Sequence, residues 1–142
     1  MKIAIGGDHA GFYYKQRLIK FLEGENHKLV DFGPESDTSV DYPDHVHPLA
    51  LSIASKDSDL GVLICGSGNG VAITANKHKN VRAALCWNTE LVALARQHNN
   101  ANIICIPARF IAYELAETLV ATFLNTGFEA GRHQRRVDKI NG

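Results

Sequence analysis

Short apolar runs alternate with longer amphipathic segments along the whole chain. The apolar runs predict β-strands at residues 2–6, 27–32, 60–65, 81–86 and 102–107. Segments with apolar residues three and four positions apart predict helices at residues 12–23, 44–55, 68–76, 89–97 and 111–124. The last stretch, residues 129–141, is charged and has only a weak helical pattern.

This alternation of strand and helix predicts a parallel β-sheet with helices on both faces. We therefore expect a Rossmann-like, three-layer α/β/α fold with five parallel strands and a C-terminal helical tail. At 142 residues the chain is long enough to bury a substantial core, and no linker, repeat or low-complexity segment divides it. Residues 1–142 are thus expected to form a single domain.

The composition argues against several classes of function. Fifteen basic and fifteen acidic residues cancel, so no global charge favours nucleic acid or a membrane surface as a partner. No apolar run approaches the roughly 20 residues that cross a bilayer, and the first residues begin a strand and lack a signal-peptide pattern. We expect a cytoplasmic protein in a reducing environment.

No metal site is expected from the sequence. The three cysteines have no CxxC spacing and fit neither a disulfide framework nor a zinc site. His45 and His47 suggest a ligand pair, but residues two positions apart on the predicted helix diverge.

The most informative stretch is the glycine-rich turn after the third predicted strand, Cys65-Gly-Ser-Gly-Asn-Gly70. Alternate glycines let the backbone turn tightly and approach a ligand, and the N–H groups that begin the next helix favour a negative charge. Cys65 and Ser67 are the reactive side chains, and a thiol beside a helix N-terminus should ionise more readily. The pattern predicts a catalytic turn with a general base and an oxyanion-binding backbone. A buried strand-end cysteine with structural glycines is the alternative interpretation.

Ligands of such folds bind beyond the carboxyl ends of the strands. Asp8 and His9 follow the first predicted strand, and Arg109 follows the fifth. Residues 6–11 also partly match the dinucleotide-binding pattern, with Asp31 as an acceptor for a ribose hydroxyl. However, Asp8 places a side chain and a negative charge where a pyrophosphate would lie. A non-catalytic nucleotide-binding module is therefore the alternative from another class.

A basic cluster lies near the C-terminus. Arg132, His133 and Arg136 would share one side of a helical turn. The planar guanidinium of arginine suits a phosphate group, and two or three such donors would hold one. A solvated run of charge is the alternative interpretation of these residues.

Five motifs resemble ribose-5-phosphate isomerase type B, a family that also includes allose- and galactose-phosphate isomerases. They are Gly6-Gly-Asp-His-Ala-Gly11, Asp41-Tyr-Pro43, Ile64-Cys-Gly-Ser-Gly-Asn-Gly70, Arg96-Gln-His-Asn-Asn100 and Gly131-Arg-His-Gln-Arg-Arg136. They occur in the same order and span essentially the whole chain. The resemblance implies a Rossmann-like fold, a homodimer or dimer of dimers, a small phosphosugar substrate, and no metal or organic cofactor.

The resemblance also implies roles for individual residues. The base is a cysteine at the position of Cys65 in one branch of the family and a glutamate further along in another, and no carboxylate occurs at Ala72 or Ile73 here. The implied catalytic residues are Cys65, Ser67, Asp8 and the ring-opening His98. The implied substrate-binding residues are His9, Tyr42, Gly66, Gly68, Asn69, Gly70 and Asn99, and the implied phosphate-binding residues are Arg109, Arg132, His133 and Arg136.

The resemblance, together with these residues, implies an aldose–ketose isomerase that interconverts ribose 5-phosphate and ribulose 5-phosphate through ring opening and a cis-enediolate. Isomerisation of allose or galactose 6-phosphate and a cysteine hydrolase are further alternatives. Cys65 follows a strand and His98 closes a helix, so they should lie at opposite edges of the sheet, more than ~15 Å apart. We therefore expect His98 of one subunit to complete the site that holds Cys65 of its partner.

Overall fold

Five parallel strands form one sheet in the computed structural model, which describes all residues from Met1 to Gly142. The strands are β1 (Lys2–Gly7), β2 (Lys28–Asp31), β3 (Leu60–Cys65), β4 (Ala83–Leu85) and β5 (Ile103–Pro107). They lie in the order β2-β1-β3-β5-β4, and every neighbouring pair is parallel. The order of connection reverses between β1 and β3, so these strands form the topological switch point.

Six helices cover the sheet or follow it. They are α1 (Phe12–Gly24), α2 (Tyr42–Ala54), α3 (Asn69–Ala75), α4 (Thr89–Asn99), α5 (Tyr113–Asn125) and α6 (Arg132–Asp138), and a short 3₁₀ turn, His9–Gly11, precedes α1. The predicted three-layer α/β/α fold is confirmed. Helix α2 begins at Tyr42, earlier than the sequence pattern indicated, because Pro43 is preorganised for a first helical turn. None of the helices is both long enough and apolar enough to cross a membrane.

The two faces of the sheet bury separate apolar clusters, because successive strand residues point to opposite sides. Ile3 and Ile5 of β1 pack in the cluster that contains residues of α1, α4 and α5. Ala4 packs in the other cluster, which contains residues of α2 and α3. The same alternation sends Ile64 to the first face and Cys65 to the second. The thiol of Cys65 therefore lies under α2 and α3.

Cys65 and His98 lie at opposite edges of the sheet. Cys65 ends β3 at the carboxyl edge, where it pairs with Pro107 at the end of β5. Helix α4 ends at Asn99, only a few residues before β5 begins at Ile103. The end of α4, which includes His98, therefore lies near the amino edge.

Candidate functional site

The turn after β3 brings a thiol, a hydroxyl and several backbone N–H groups together. The N–H of Gly68 donates to Sγ of Cys65 at 3.0 Å, and the N–H of Asn69 donates to Oγ of Ser67 at 3.2 Å. Gly68 has a φ of +77°, a conformation that strains residues with a Cβ atom. Helix α3 begins at Asn69, so the N–H groups of its first turn have no carbonyl partner within the helix. The arrangement can stabilise negative charge on an oxygen bound beside Cys65.

Cys65 is almost fully buried at the end of its strand, with 4% of its surface exposed. Burial raises the pKa of its thiol above the ordinary value of 9.0, and the N–H groups of Gly68 and Val71 lower that pKa by less. The negative charge of Asp8 raises it further. The expectation that the helix N-terminus favours the thiolate is therefore wrong for the free chain, because desolvation outweighs the helix.

Asp8 and His9 follow β1 beside this turn. One carboxylate oxygen of Asp8 accepts hydrogen bonds from the N–H groups of Ala10 and Gly11, at 2.9 and 3.2 Å. Its second oxygen makes no hydrogen bond within the chain. Nδ1 of His9 accepts a hydrogen bond from the N–H of Val40 at 3.2 Å. The neutral ring of His9 therefore carries its proton on Nε2, where it can donate to a ligand oxygen.

A cavity of about 670 Å³ opens at the carboxyl edge and is lined by Asp8, His9, Val40, Asp41, Tyr42, Pro43, Asp44 and Arg109. The Tyr42 ring lies so close to Gly70 that a Cβ atom on Gly70 would stand only 2.5 Å from Cζ of Tyr42. The Arg109 side chain also passes near Gly66, 3.2 Å from the position that a Cβ atom would take there. The structure thus brings Tyr42 and Arg109 against the glycine-rich turn, as the predicted site requires.

The other predicted site residues line a separate cavity of about 450 Å³ beside α6. Its lining consists of His98, Asn99, Arg132, His133, Arg136, Val137 and Ile140. The rings of His98 and His133 are stacked, with 4.1 Å between centroids and 13° between planes. Desolvation and the neighbouring His98 and Arg132 lower the pKa of His133. The neutral form of His133 is thereby favoured.

No residue lines both cavities. Arg109 lies with Asp8 and His9, whereas Arg132 and Arg136 lie with His98. The three arginines therefore do not surround one phosphate within a single chain. Within the chain the predicted site consists of two half-sites, which we call the Cys65 half-site (the cavity at the carboxyl edge and the glycine-rich turn) and the His98 half-site (the cavity beside α6).

The structure argues against two alternative functions, a nucleotide-binding module and a cysteine hydrolase. Nζ of Lys15 donates to both carboxylate oxygens of Asp31, at 2.9 and 2.7 Å, so Asp31 forms an ion pair within the chain. No histidine hydrogen-bonds to Sγ of Cys65, which accepts a hydrogen bond from the backbone N–H of Gly68. The geometry therefore lacks the Cys–His pair of a hydrolase, and it uses the predicted ribose acceptor of a nucleotide-binding module in an internal ion pair.

Sequence reasoning missed a carboxylate in the His98 half-site. Oε2 of Glu129 lies 4.0 Å from Nε2 of His98 and 3.8 Å from Nε2 of His133. These three residues are the one group of potential metal ligands in the chain. The sequence signal that could have revealed this contact was the four-residue spacing of Glu129 and His133.

The other histidine pair considered in the sequence does not form a ligand pair. His45 and His47 diverge as expected, since Nδ1 of His45 bonds to the Phe32 carbonyl and Nδ1 of His47 bonds to His78.

An apolar cavity beside the Cys65 half-site was also missed. It has a volume of about 610 Å³ and is lined by Ser67, Asn69, Leu85, Trp87, Pro107, Phe110, Ile111, Ala112 and Leu115. Trp87 is 53% exposed and Phe110 is 76% exposed. Both aromatic residues follow predicted strands, and this position was the only sign of the cavity in the sequence. They leave an exposed apolar surface next to Ser67.

Comparison with known proteins agrees with this architecture. The sequence model of the Ribose/Galactose Isomerase family matches residues 3–140. Probable ribose-5-phosphate isomerase B of Mycoplasma pneumoniae is 44% identical over 139 residues, which cover 97% of this chain and 91% of that protein. A crystal structure of a ribose 5-phosphate isomerase from Thermotoga maritima matches with a TM-score of 0.96 and 47% identity, covering 98% of this chain and 96% of that one.

A second solved structure carries a ligand. It is ribose-5-phosphate isomerase B from Mycoplasma genitalium with bound ribulose-5-phosphate, and it matches with a TM-score of 0.93 and 44% identity. The match covers 98% of this chain and 93% of that one. The resemblance inferred from the five sequence motifs is confirmed over nearly the full length. The chain therefore belongs to the ribose/galactose isomerase family.

Proposed function

We propose that this chain interconverts ribose 5-phosphate and ribulose 5-phosphate. The observation that carries the proposal is the Cys65 half-site, where a thiol, a hydroxyl and backbone N–H groups meet Asp8 and Arg109 at the switch point of the sheet. A protein of the same fold and 44% identity binds ribulose-5-phosphate. Aldose–ketose isomerisation needs a base, proton donors and a stabilised oxyanion, and these residue types supply them.

The phosphate anchors the substrate through arginine side chains. Arg109 faces the Cys65 half-site, and Arg132 and Arg136 face the His98 half-site. Guanidinium groups bind phosphate through charge-assisted, often bidentate hydrogen bonds. Binding at this remote group holds the reacting carbons in place, which lowers the entropic part of the barrier.

The ring must open before the carbon chemistry begins. His98 assists by transferring a proton between the anomeric hydroxyl and the ring oxygen. Asp8 supports the same step, because its second carboxylate oxygen is free of hydrogen bonds within the chain. Opening of the ring gives the linear aldose with its carbonyl at C1.

The Cys65 thiolate then removes the proton from C2, and the electron pair moves into a C1–C2 double bond. The resulting enediolate carries negative charge on oxygen, which the N–H groups of the turn from Gly66 to Gly70 stabilise. Ser67 passes a proton between the two oxygens. Cys65 returns its proton to C1, which leaves the ketose and regenerates the thiolate.

The active unit is a dimer in which each site combines the two half-sites. The Cys65 half-site of one subunit faces the His98 half-site of its partner, so that Arg109 comes from one chain and Arg132 and Arg136 from the other. The exposed Trp87 and Phe110 support this assembly, because contact between subunits would cover their apolar surface next to Ser67. Each active site is then completed only by dimerisation.

The direct test is turnover by the purified protein in the presence of EDTA, with ribose 5-phosphate, allose 6-phosphate, galactose 6-phosphate and unphosphorylated ribose as substrates. We expect the highest kcat/KM with ribose 5-phosphate and almost none with ribose. A higher kcat/KM with one of the hexose phosphates would reassign the substrate. Absence of turnover with all four sugars would contradict the proposed function.

A further inference from the structure

We propose that His98, Glu129 and His133 form a binding site for a divalent transition-metal ion such as Zn²⁺, and that the bound ion inhibits the isomerase. Their potential ligand atoms all lie within 4.8 Å of one another. Two imidazole nitrogens and one carboxylate oxygen form a common ligand set of zinc sites with an open fourth position. That position would face the cavity beside α6 and accept water.

The two contacts of Glu129 need only small movements to reach bonding distance. Zn–N and Zn–O bonds of about 2.0–2.2 Å in a tetrahedral site place neighbouring ligand atoms roughly 3.4 Å apart. Oε2 of Glu129 is 4.0 Å from Nε2 of His98 and 3.8 Å from Nε2 of His133. The two contacts must therefore shorten by about half an ångström.

The side chains have the freedom that this change requires. The stacked rings must tilt, because the lone pair of each ring nitrogen lies in its ring plane and the two planes are nearly parallel, 13° apart. The side chains of His98 and Glu129 are 38% and 53% exposed, so both can rotate, whereas that of His133 is 12% exposed and more restricted. We expect His133 to act as the fixed ligand towards which the other two close.

The backbone already brings the ligands together. The N–H of Glu129 donates to the carbonyl of Gln97 at 3.1 Å, which ties the segment before α6 to the last turn of α4. The N–H of His133 donates to the carbonyl of Ala130 at 2.9 Å, which closes the turn between Glu129 and α6. Binding therefore does not require this part of the chain to become ordered.

Two arginines oppose a cation at this place. Arg132 and Arg136 line the same cavity and repel a positive ion, whereas Glu129 supplies the one negative charge of the cluster. The two imidazole ligands favour ions such as Zn²⁺, Ni²⁺ and Cu²⁺ over Mg²⁺ and Ca²⁺, which prefer oxygen ligands.

Inhibition follows from the role of His98, and this part of the proposal rests on the proposed function. An ion on Nε2 of His98 removes the nitrogen that would exchange protons with the sugar ring. The ion also holds His133 and Glu129 across the His98 half-site. Substrate and metal should therefore exclude each other, and EDTA should restore turnover.

Metal binding is tested with the full-length protein after chelation and removal of the chelator. We expect calorimetric titration with Zn²⁺ to give one ion per chain, and Co²⁺ to give the visible absorption bands of a tetrahedral site. Glu129→Gln and His133→Asn should each weaken binding by about tenfold or more. The matched control is His47→Ala, since His47 forms the other close imidazole pair, with His78.

Three results would overturn the metal site: no binding, binding that survives both Glu129→Gln and His133→Asn, or binding that His47→Ala removes. Inhibition is measured separately, as the Zn²⁺ concentration that halves turnover of ribose 5-phosphate, relative to each variant's own rate in EDTA. Glu129→Gln should raise this concentration about tenfold. Stoichiometric binding at the cluster without loss of turnover would contradict the inhibitory role. Metal binding by a protein that turns over no sugar would leave the site intact and refute only the proposed function.

Discussion

The backbone N–H of Gly68 donates a hydrogen bond to Sγ of Cys65 at 3.0 Å. The bond stabilises a thiolate, but burial of the strand end opposes ionisation and has the larger effect on the thiol pKa. The free chain therefore holds a neutral thiol next to the N–H groups that would stabilise its anion. This relationship determines how the proposed base should respond to pH.

The first prediction concerns the pH profile of turnover. Only the thiolate of Cys65 can accept the C2 proton, and burial raises the thiol pKa above its ordinary value of 9.0. The value of kcat/KM should therefore rise with pH through the neutral range and into the alkaline range, since this quantity reports the free enzyme. The rate of alkylation by iodoacetamide should rise in parallel, and Cys65→Ala should abolish both. A profile that is already flat at pH 7 would contradict this role.

The second prediction concerns the arginines of α6. Arg136 lines the cavity of the His98 half-site, whereas Arg135, its neighbour in sequence, does not. A charge-assisted contact to phosphate contributes about 1.5–3 kcal/mol, so Arg136→Ala should lower kcat/KM roughly ten- to hundredfold, mainly through KM. Arg135→Ala is the matched control, because it removes the same charge from the same helix. Equal losses of kcat/KM in the two variants would show that substrate binding depends only on the overall positive charge of α6 and not on Arg136 itself.

The third prediction concerns the stability of the turn after β1. A Cβ atom on Gly11 would stand 2.3 Å from the carbonyl oxygen of Ile64, a backbone atom that cannot move away easily. Gly11→Ala should therefore lower the free energy of unfolding by about 1–3 kcal/mol or more. Gly24→Ala is the control, since no atom lies within 4 Å of its added Cβ.

At the helical position of Gly24 the same substitution should raise stability by about 0.5–1 kcal/mol. Urea unfolding of both variants, followed by circular dichroism, measures the two effects. Similar stability changes for Gly11→Ala and Gly24→Ala would show that the approach of the His9–Gly11 turn to β3 is not tight.

The fourth prediction concerns unfolding at alkaline pH. Burial raises the pKa of Cys86 from 9.0 to about 11. Below pH 9 the thiol is neutral in both states, whereas between about pH 9 and 11 it ionises in the unfolded chain before it ionises in the folded one. Stability should therefore fall as pH rises, and Cys86 should account for about 2 kcal/mol of the loss by pH 10.5.

The measurement is urea unfolding at pH 8 and pH 10.5 for the wild type and for Cys86→Ala. Burial also raises the pKa values of Cys65 and Cys105, which therefore contribute to the loss in both proteins. The difference between the two proteins thus reports Cys86 together with its smaller effect on the pKa of Cys105. The variant should lose less stability between the two pH values. Identical losses would mean that Cys86 does not resist ionisation in the folded state.

The fold could be predicted because its central strands are apolar on both faces. A strand such as β3, buried along its whole length, leaves a continuous apolar run, and the polar residues at its carboxyl end mark the site. Asp8, Cys65 and Arg109 were located in this way, from their positions directly after strands. The position of His98 at the end of a helix likewise indicated that it lies at the other edge of the sheet from Cys65.

The remaining features depend on packing that no local pattern encodes. The raised pKa of Cys65 results from the way α2 and α3 exclude water from the strand end. The contact of Glu129 with His98 depends on the irregular path of the chain between α5 and α6. The cavity beside Trp87 and Phe110 forms only when residues after β4 and β5 meet next to Ser67.

The central claim is that one active site combines Cys65 of one subunit with His98 of another. Its most direct test is to mix the inactive variants Cys65→Ala and His98→Ala, dissociate the mixture and let the subunits reassociate. A mixed dimer carries one site with both residues intact and one site that lacks both. Turnover of ribose 5-phosphate should therefore return to about half the wild-type rate per mixed dimer, while each variant treated alone stays inactive. Lack of recovery, despite subunit exchange shown by a mass-labelled variant, would mean that each chain carries its own complete site and would contradict the account.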